Sequence, residues 1–101
     1  MLRLVIKYAP GRSGTIELRN YTANEQKNWR INSACAEINI MSREFETEAQ
    51  YDVVTIDGVM YSGSSIINQH ILNNSFGVSF TSDNVSAGRG FILDWSCAQT
   101  G

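Results

Sequence analysis

The chain has 101 residues, enough for one domain around one hydrophobic core. Ten acidic and eight basic residues give a formal charge of −2, which argues against the basic patch that a nucleic-acid binder carries. No apolar run is long enough to cross a bilayer, which excludes membrane insertion through a helix.

The opening MLRLVIKYAPG is too short in its apolar run for a signal peptide and reads as a strand over Leu2–Tyr8, with Leu2, Leu4 and Ile6 on one face. We therefore expect residues 1–101 to form a single domain cut from a larger protein. Pro10-Gly11 and Gly14 mark a loop. Short strand candidates follow at Thr15–Leu18, Asn28–Ile31, Ala36–Met41, Asp52–Ile56, Gly58–Tyr61, Phe76–Thr81 and Phe91–Cys97. Turn residues separate them at Asp57-Gly58, Ser62-Gly63-Ser64-Ser65 and Asn73-Asn74-Ser75. Ile66–Leu72 is the one helix-like stretch. Alternation is clear in the last run, where Phe91, Leu93, Trp95 and Cys97 share one face and Ile92, Asp94 and Ser96 the other. Many short strands at this spacing predict an all-β fold, an antiparallel β-sandwich. Trp29 and Trp95 lie in strand candidates with aliphatic neighbours and are expected in the core.

Acidic side chains concentrate in SREFETEAQYD, at Glu44, Glu46, Glu48 and Asp52. Glu44 and Glu46 read as a solvated strand face. Glu48 and Asp52 flank a tight turn leading into the apolar strand Val53-Val54-Thr55-Ile56. Farther on, Asp83 ends the alternating run Val78–Thr81, beside a loop of small residues. A carboxylate at the end of a buried strand, next to a polar loop with spare carbonyls, suits a hard cation such as calcium. His70 stands alone and the cysteines lack ligand spacing, which argues against zinc. No nucleophile pairs with His70 in the pattern, and no enzyme is expected. Cys35 and Cys97 are compatible with one disulfide or with two buried thiols.

In order along the chain stand Gly14 with Thr15-Ile16, then Tyr21 followed eight residues later by Trp29. Ile38 and Ile40, then Phe45, Thr47 and Glu48, come next. Tyr51-Asp52 leads into a strand ending at Asp57-Gly58, and SFTSDNVSAGRGF closes the series, with Gly90-Phe91 spaced eight residues from Asp83 to Phe91. This succession resembles the CUB domain family from Gly14 to Cys97. The resemblance implies a jelly-roll-like, CUB-type sandwich. It also implies a calcium site of Glu48, Asp52 and Asp83, with Tyr21 hydrogen-bonding a ligating carboxylate and a carbonyl of the following loop, assigned to Ser86. Glu46 and Glu44 remain alternatives to Glu48. The family's cysteine between the Tyr and the Trp is replaced by Lys27, and Ala49-Gln50 stands where another precedes the Tyr-Asp pair. The resemblance, with the Trp-x-Cys ending, points instead to a Cys35–Cys97 pairing, and so to a secreted or cell-surface protein.

The expected function is a noncatalytic extracellular recognition module for protein–protein interaction or adhesion. Calcium would order its end loops, and Tyr21, Glu48, Asp52 and Asp83 would accept a Lys side chain from a protein ligand. Two alternatives stand beside it. One is a carbohydrate-binding module taking a glycan through exposed aromatics such as Tyr61. The other is a structural spacer within a larger surface protein or protease.

Overall fold

The computed structural model describes residues 4–8, 11–85 and 88–98. Among the described residues nine strands form in chain order: β1 Leu4–Tyr8, β2 Ser13–Arg19, β3 Gln26–Asn32, β4 Ile38–Glu46, β5 Val53–Ile56, β6 Val59–Tyr61, β7 Asn68–Ile71, β8 Ser75–Thr81 and β9 Gly90–Cys97. They build a five-stranded sheet in the order β1-β3-β8-β5-β6 and a four-stranded sheet in the order β2-β9-β4-β7. The predicted all-β sandwich is what the chain forms. Every pairing is antiparallel except that of β1 with β3, which is parallel. The strand expected from Leu2 starts at Leu4 among the described residues; Leu2 and Pro10 lie outside them.

Period two explains the core. In β8, Phe76, Val78 and Phe80 are buried while Ser75, Gly77 and Ser79 are half-exposed. In β9, Phe91, Leu93 and Trp95 face the same interior, joined by Ile16, Ile31, Ile38, Ile40, Val54 and Ile56 from the other strands. Each fully buried aliphatic or aromatic side chain stabilises by roughly 1.5–3 kcal/mol relative to exposure. Trp95 is buried, and Trp29 is half-buried with its ring edge-on to Phe91 at 5.9 Å.

Two local readings change. The helix-like stretch Ile66–Leu72 holds strand β7, which pairs with β4 from Ile38↔Ile71 to Met41↔Asn68. The strand expected to stop at Met41 runs on to Glu46, through a bulge between Ser42 and Glu44. That extra residue re-phases the alternation: Ile38 and Ile40 are buried before it and Phe45 after it, leaving Glu44 and Glu46 outward. Ile92, on the face opposite Phe91 and Leu93 as the alternation placed it, is nonetheless only 2% exposed. It lies across from Glu17 on β2 and Glu44 on β4. Arg19 bridges both glutamates, so these side chains span the central strand above it.

The register gathers the sandwich ends. Arg19 and Glu46 both pair with Gly90, and Gln26 and Val53 both pair with Thr81. The β2–β3, β4–β5 and β8–β9 connections therefore emerge together at one end. At the other end Cys35 and Cys97 form a disulfide, with their Cα atoms 5.1 Å apart. Closing a loop with a sequence separation of 62 is worth roughly 4 kcal/mol in the chain-entropy model.

Candidate metal centre

Tyr21 follows Asn20 in the β2–β3 connection and is 1% exposed. Its ring stands edge-on to Phe80 at 4.7 Å and packs against Gly88, where a Cβ would come within 2.9 Å of two ring carbons. Glycine at 88 is what lets the β8–β9 loop close over the tyrosine. Asn20 and Asn24 take positive φ angles of 51° and 59°, a region Asn tolerates better than most residues. Thr22 and Glu25 brace the connection, with Thr22 N–H and Oγ both donating to Glu25 Oε1 at 2.7 and 3.0 Å. Ser82 ties it to β8: its hydroxyl donates to Thr22 O at 2.7 Å and accepts from Glu25 N–H at 2.8 Å.

The β4–β5 connection is a short strap. Tyr51 N–H and Asp52 N–H both donate to Glu48 O, at 3.3 and 3.0 Å. Asp52 is 0% exposed. Its carboxylate accepts from Tyr21 Oη at 2.5 Å and from Asp83 N–H at 3.0 Å. Tyr21 Oη in turn accepts from Glu48 N–H at 3.2 Å. One tyrosine hydroxyl thus holds both ends of the strap. Burial, and then the hydrogen bond to Asp52, push that hydroxyl's pKa up to about 12, so it stays a proton donor at neutral pH. Asp83 is fixed separately. Its carbonyl accepts from Asn24 N–H at 2.7 Å, and its Oδ1 accepts from Val85 N–H at 3.2 Å.

Glu48, Asp52 and Asp83 each offer a carboxylate oxygen, and these oxygens lie within 4.8 Å of one another. Among the described residues no arginine or lysine pairs with any of the three. Glu48 Oε1 is buried and has no hydrogen-bond partner. Three anions so close, one of them fully buried, repel one another and have lost hydration. A buried carboxylate oxygen without a donor is costly unless a cation meets it. The donor set is all oxygen, which suits a hard ion such as calcium rather than zinc. The residues present therefore fit a calcium ion.

The structure brings Glu48, Asp52, Asp83 and Tyr21 together, from connections up to 62 positions apart. Glu44 and Glu46, the alternatives to Glu48, stand elsewhere: Glu46 pairs with Arg89 at 3.3 Å and Glu44 with Arg19 at 3.7 Å. Ser86 lies outside the described residues. Tyr61 is no open platform for a sugar, because it is half-buried and its hydroxyl donates to Gln69 Oε1 at 2.7 Å. His70 is engaged on the far side by Asn39 at 2.9 Å and Glu37 at 3.1 Å. Sequence reasoning missed the bracing by Thr22 and Glu25, whose T-x-x-E spacing is a recognisable local signal. It also missed Thr47 and Ser82 as loop ties, and no local pattern marks those.

No sequence-family model matches the chain, and no curated protein sequence matches it. Solved structures do. The chain is similar to the CUB1-EGF-CUB2 domains of rat MASP-1, with a TM-score of 0.77 at 15% identity, covering 98% of this chain and 44% of that one. It is similar to the full extracellular region of zebrafish Gpr126/Adgrg6, with a TM-score of 0.77 at 22% identity over 91% of this chain and 14% of that one. It is also similar to the MASP-1 CUB2 domain bound to Ca2+, with a TM-score of 0.74 at 19% identity over 89% of this chain and 96% of that domain. The chain thus spans less than half of the two longer proteins and nearly all of the single domain. At these identities the likeness establishes the fold, a CUB-like β-sandwich.

Proposed function

We propose that this domain is a noncatalytic extracellular recognition module whose loop end is ordered by calcium and presents ordered carboxylates to a protein partner. The observation that carries the reading is Glu48 Oε1, buried without a hydrogen-bond donor beside Asp52 and Asp83. Glu48, Asp52 and Asp83 would hold the ion, and Tyr21 would orient Asp52. Calcium bound there supplies the positive charge that the three carboxylates lack. The similar domain described as bound to Ca2+ supports the choice of ion.

The chain's own residues do the rest. Tyr21 Oη and Asp83 N–H fix Asp52 on both carboxylate oxygens. Ser82 and Glu25 hold the β2–β3 connection against the end of β8. These bonds tie the β2–β3 and β4–β5 connections to the end of β8. Three carboxylates against one divalent cation leave net negative charge, which an incoming ammonium from a partner lysine would meet through charge-assisted hydrogen bonds. The Cys35–Cys97 disulfide supports a secreted or cell-surface setting. The span of less than half of the two longer similar proteins supports a place as one module of a larger protein.

Thermal unfolding in excess chelator and in millimolar calcium, for wild type and Asp83→Ala, tests the reading. Calcium at about ten times its dissociation constant should add about 1.4 kcal/mol to the wild-type folded state. The gain should vanish in Asp83→Ala. No calcium-dependent gain in wild type would overturn the calcium reading.

A further inference from the structure

We infer that Thr47 is a positioning residue for calcium: it clamps the Glu48–Asp52 strap to the β6–β7 connection, so that the strap's two carboxylates are held together before an ion arrives. The inference rests on the calcium reading above and adds to it a part of the molecule that supplies no ligand. Thr47 is 7% exposed. Its hydroxyl donates to Asp52 O at 2.9 Å and accepts from Gly63 N–H at 3.0 Å. Its own N–H donates to Gly63 O at 3.0 Å. One side chain therefore closes the strap on itself and fastens it to Gly63.

A second tie runs parallel. Gln50, at a positive φ of 74°, donates its N–H to Ser62 Oγ at 3.0 Å. Ser65 Oγ donates to Ser62 O at 2.7 Å and stiffens that connection from within. Ala49 closes the packing, its Cβ 3.4 Å from where a Cβ on Gly63 would stand. The 62–65 connection has no carboxylate, so it acts on the ion only through the strap. Without an ion, mutual repulsion of Glu48, Asp52 and Asp83 drives the strap outward. The Thr47 clamp opposes that motion, and partners that orient metal ligands commonly set affinity. Coupling is reciprocal: if the clamp favours calcium, calcium must also tighten the clamp at Gly63.

Calcium chloride titration calorimetry on wild type, Thr47→Val and Thr47→Ser, with melting curves in chelator and amide exchange at Gly63, tests this. Valine keeps the shape and removes the hydroxyl. Calcium affinity should fall roughly tenfold or more in Thr47→Val and recover most of the way in Thr47→Ser, following the usual cost of losing a ligand-orienting partner. Exchange at Gly63 should slow when calcium binds wild type, a response that a purely structural threonine would not produce. Wild-type affinity in a folded but less stable Thr47→Val would overturn the inference and leave the calcium reading standing. No calcium binding by wild type would remove both. If Thr47→Val does not fold, Ser62→Ala carries the test, since it cuts only the tie to Gln50. A loss of affinity of a few-fold is then expected, and unchanged affinity together with unchanged Gly63 exchange would overturn the clamp.

Discussion

Two groups of carboxylates in this molecule are treated oppositely. On the outer face of the four-stranded sheet four of them are answered by arginines. Glu17 and Glu44 share Arg19, Asp94 takes two hydrogen bonds from Arg43 at 2.7 and 3.0 Å, and Glu46 meets Arg89. These groups are substantially exposed, where water already solvates them and pairing adds little. At the loop end, Glu48, Asp52 and Asp83 are half-buried or buried, close together, and met only by neutral donors. Charge is balanced where imbalance would cost least and left unbalanced where it costs most. That inversion is the contrast on which the calcium proposal rests, whereas the outer face is balanced by its own arginines.

Substitutions can break the contrast. Tyr21→Phe should have the largest effect. It removes one hydroxyl serving Asp52 and the Glu48 N–H at once, and leaving such buried groups unmet costs about 2–3 kcal/mol. Urea unfolding in chelator measures it. Asp83→Asn should lose the calcium-dependent gain of about 1.4 kcal/mol at ten times the dissociation constant, yet in chelator it should unfold no earlier than wild type, because one repelling charge is gone. Melting curves in both buffers read the two signs, and an earlier chelator transition would mean that the carboxylates do not strain one another. On the outer face, Arg43→Ala should cost the least of the three substitutions, with the cost shrinking further in high salt; denaturant midpoints at two ionic strengths check this.

Acid gives the smallest effect. Hydrogen bonds from Arg43, then from Thr15, hold the Asp94 carboxyl below its ordinary value of 3.8. A depressed folded-state value means that the pair's contribution is fully present above the ordinary value. It is lost as pH falls through the lowered one. Comparing wild type with Asp94→Asn between pH 5 and pH 2 should show their small difference closing toward the acid end.

The alternating strands were legible because residues i and i+2 must share a face, as Phe76, Val78 and Phe80 do. Strand β7 was not, because buried Ile71 within it and buried Ile67 just before it are spaced by four, a spacing that satisfies a helical turn and a strand face equally well. The outward face of Glu44 and Glu46 was legible, but the bulge between Ser42 and Glu44 left no mark in the sequence, so the run of β4 past Met41 had to be seen in the register. Glu48 and Asp52 could be placed near each other by the tightness of their turn. Bringing Asp83 to them takes the pairing of β5 with β8, a long-range fact that the residues alone do not state and that family resemblance supplied. The clamp by Thr47 is of the same kind: its partner Gly63 is 16 positions away, and one threonine in a polar turn carries no signature.

The Cys35–Cys97 bridge reaches beyond the end of the sandwich where it sits. It closes a ring of chain that contains Glu48, Asp52 and Asp83, with Thr47 and Gly63, while Tyr21 and its β2–β3 connection lie outside it. When the oxidised chain unfolds, the three anions remain threaded on one covalent circle and cannot drift apart as on an open strand. Reassembling the loop end is then a search within a ring, to which the β2–β3 connection with its tyrosine returns from the free arm.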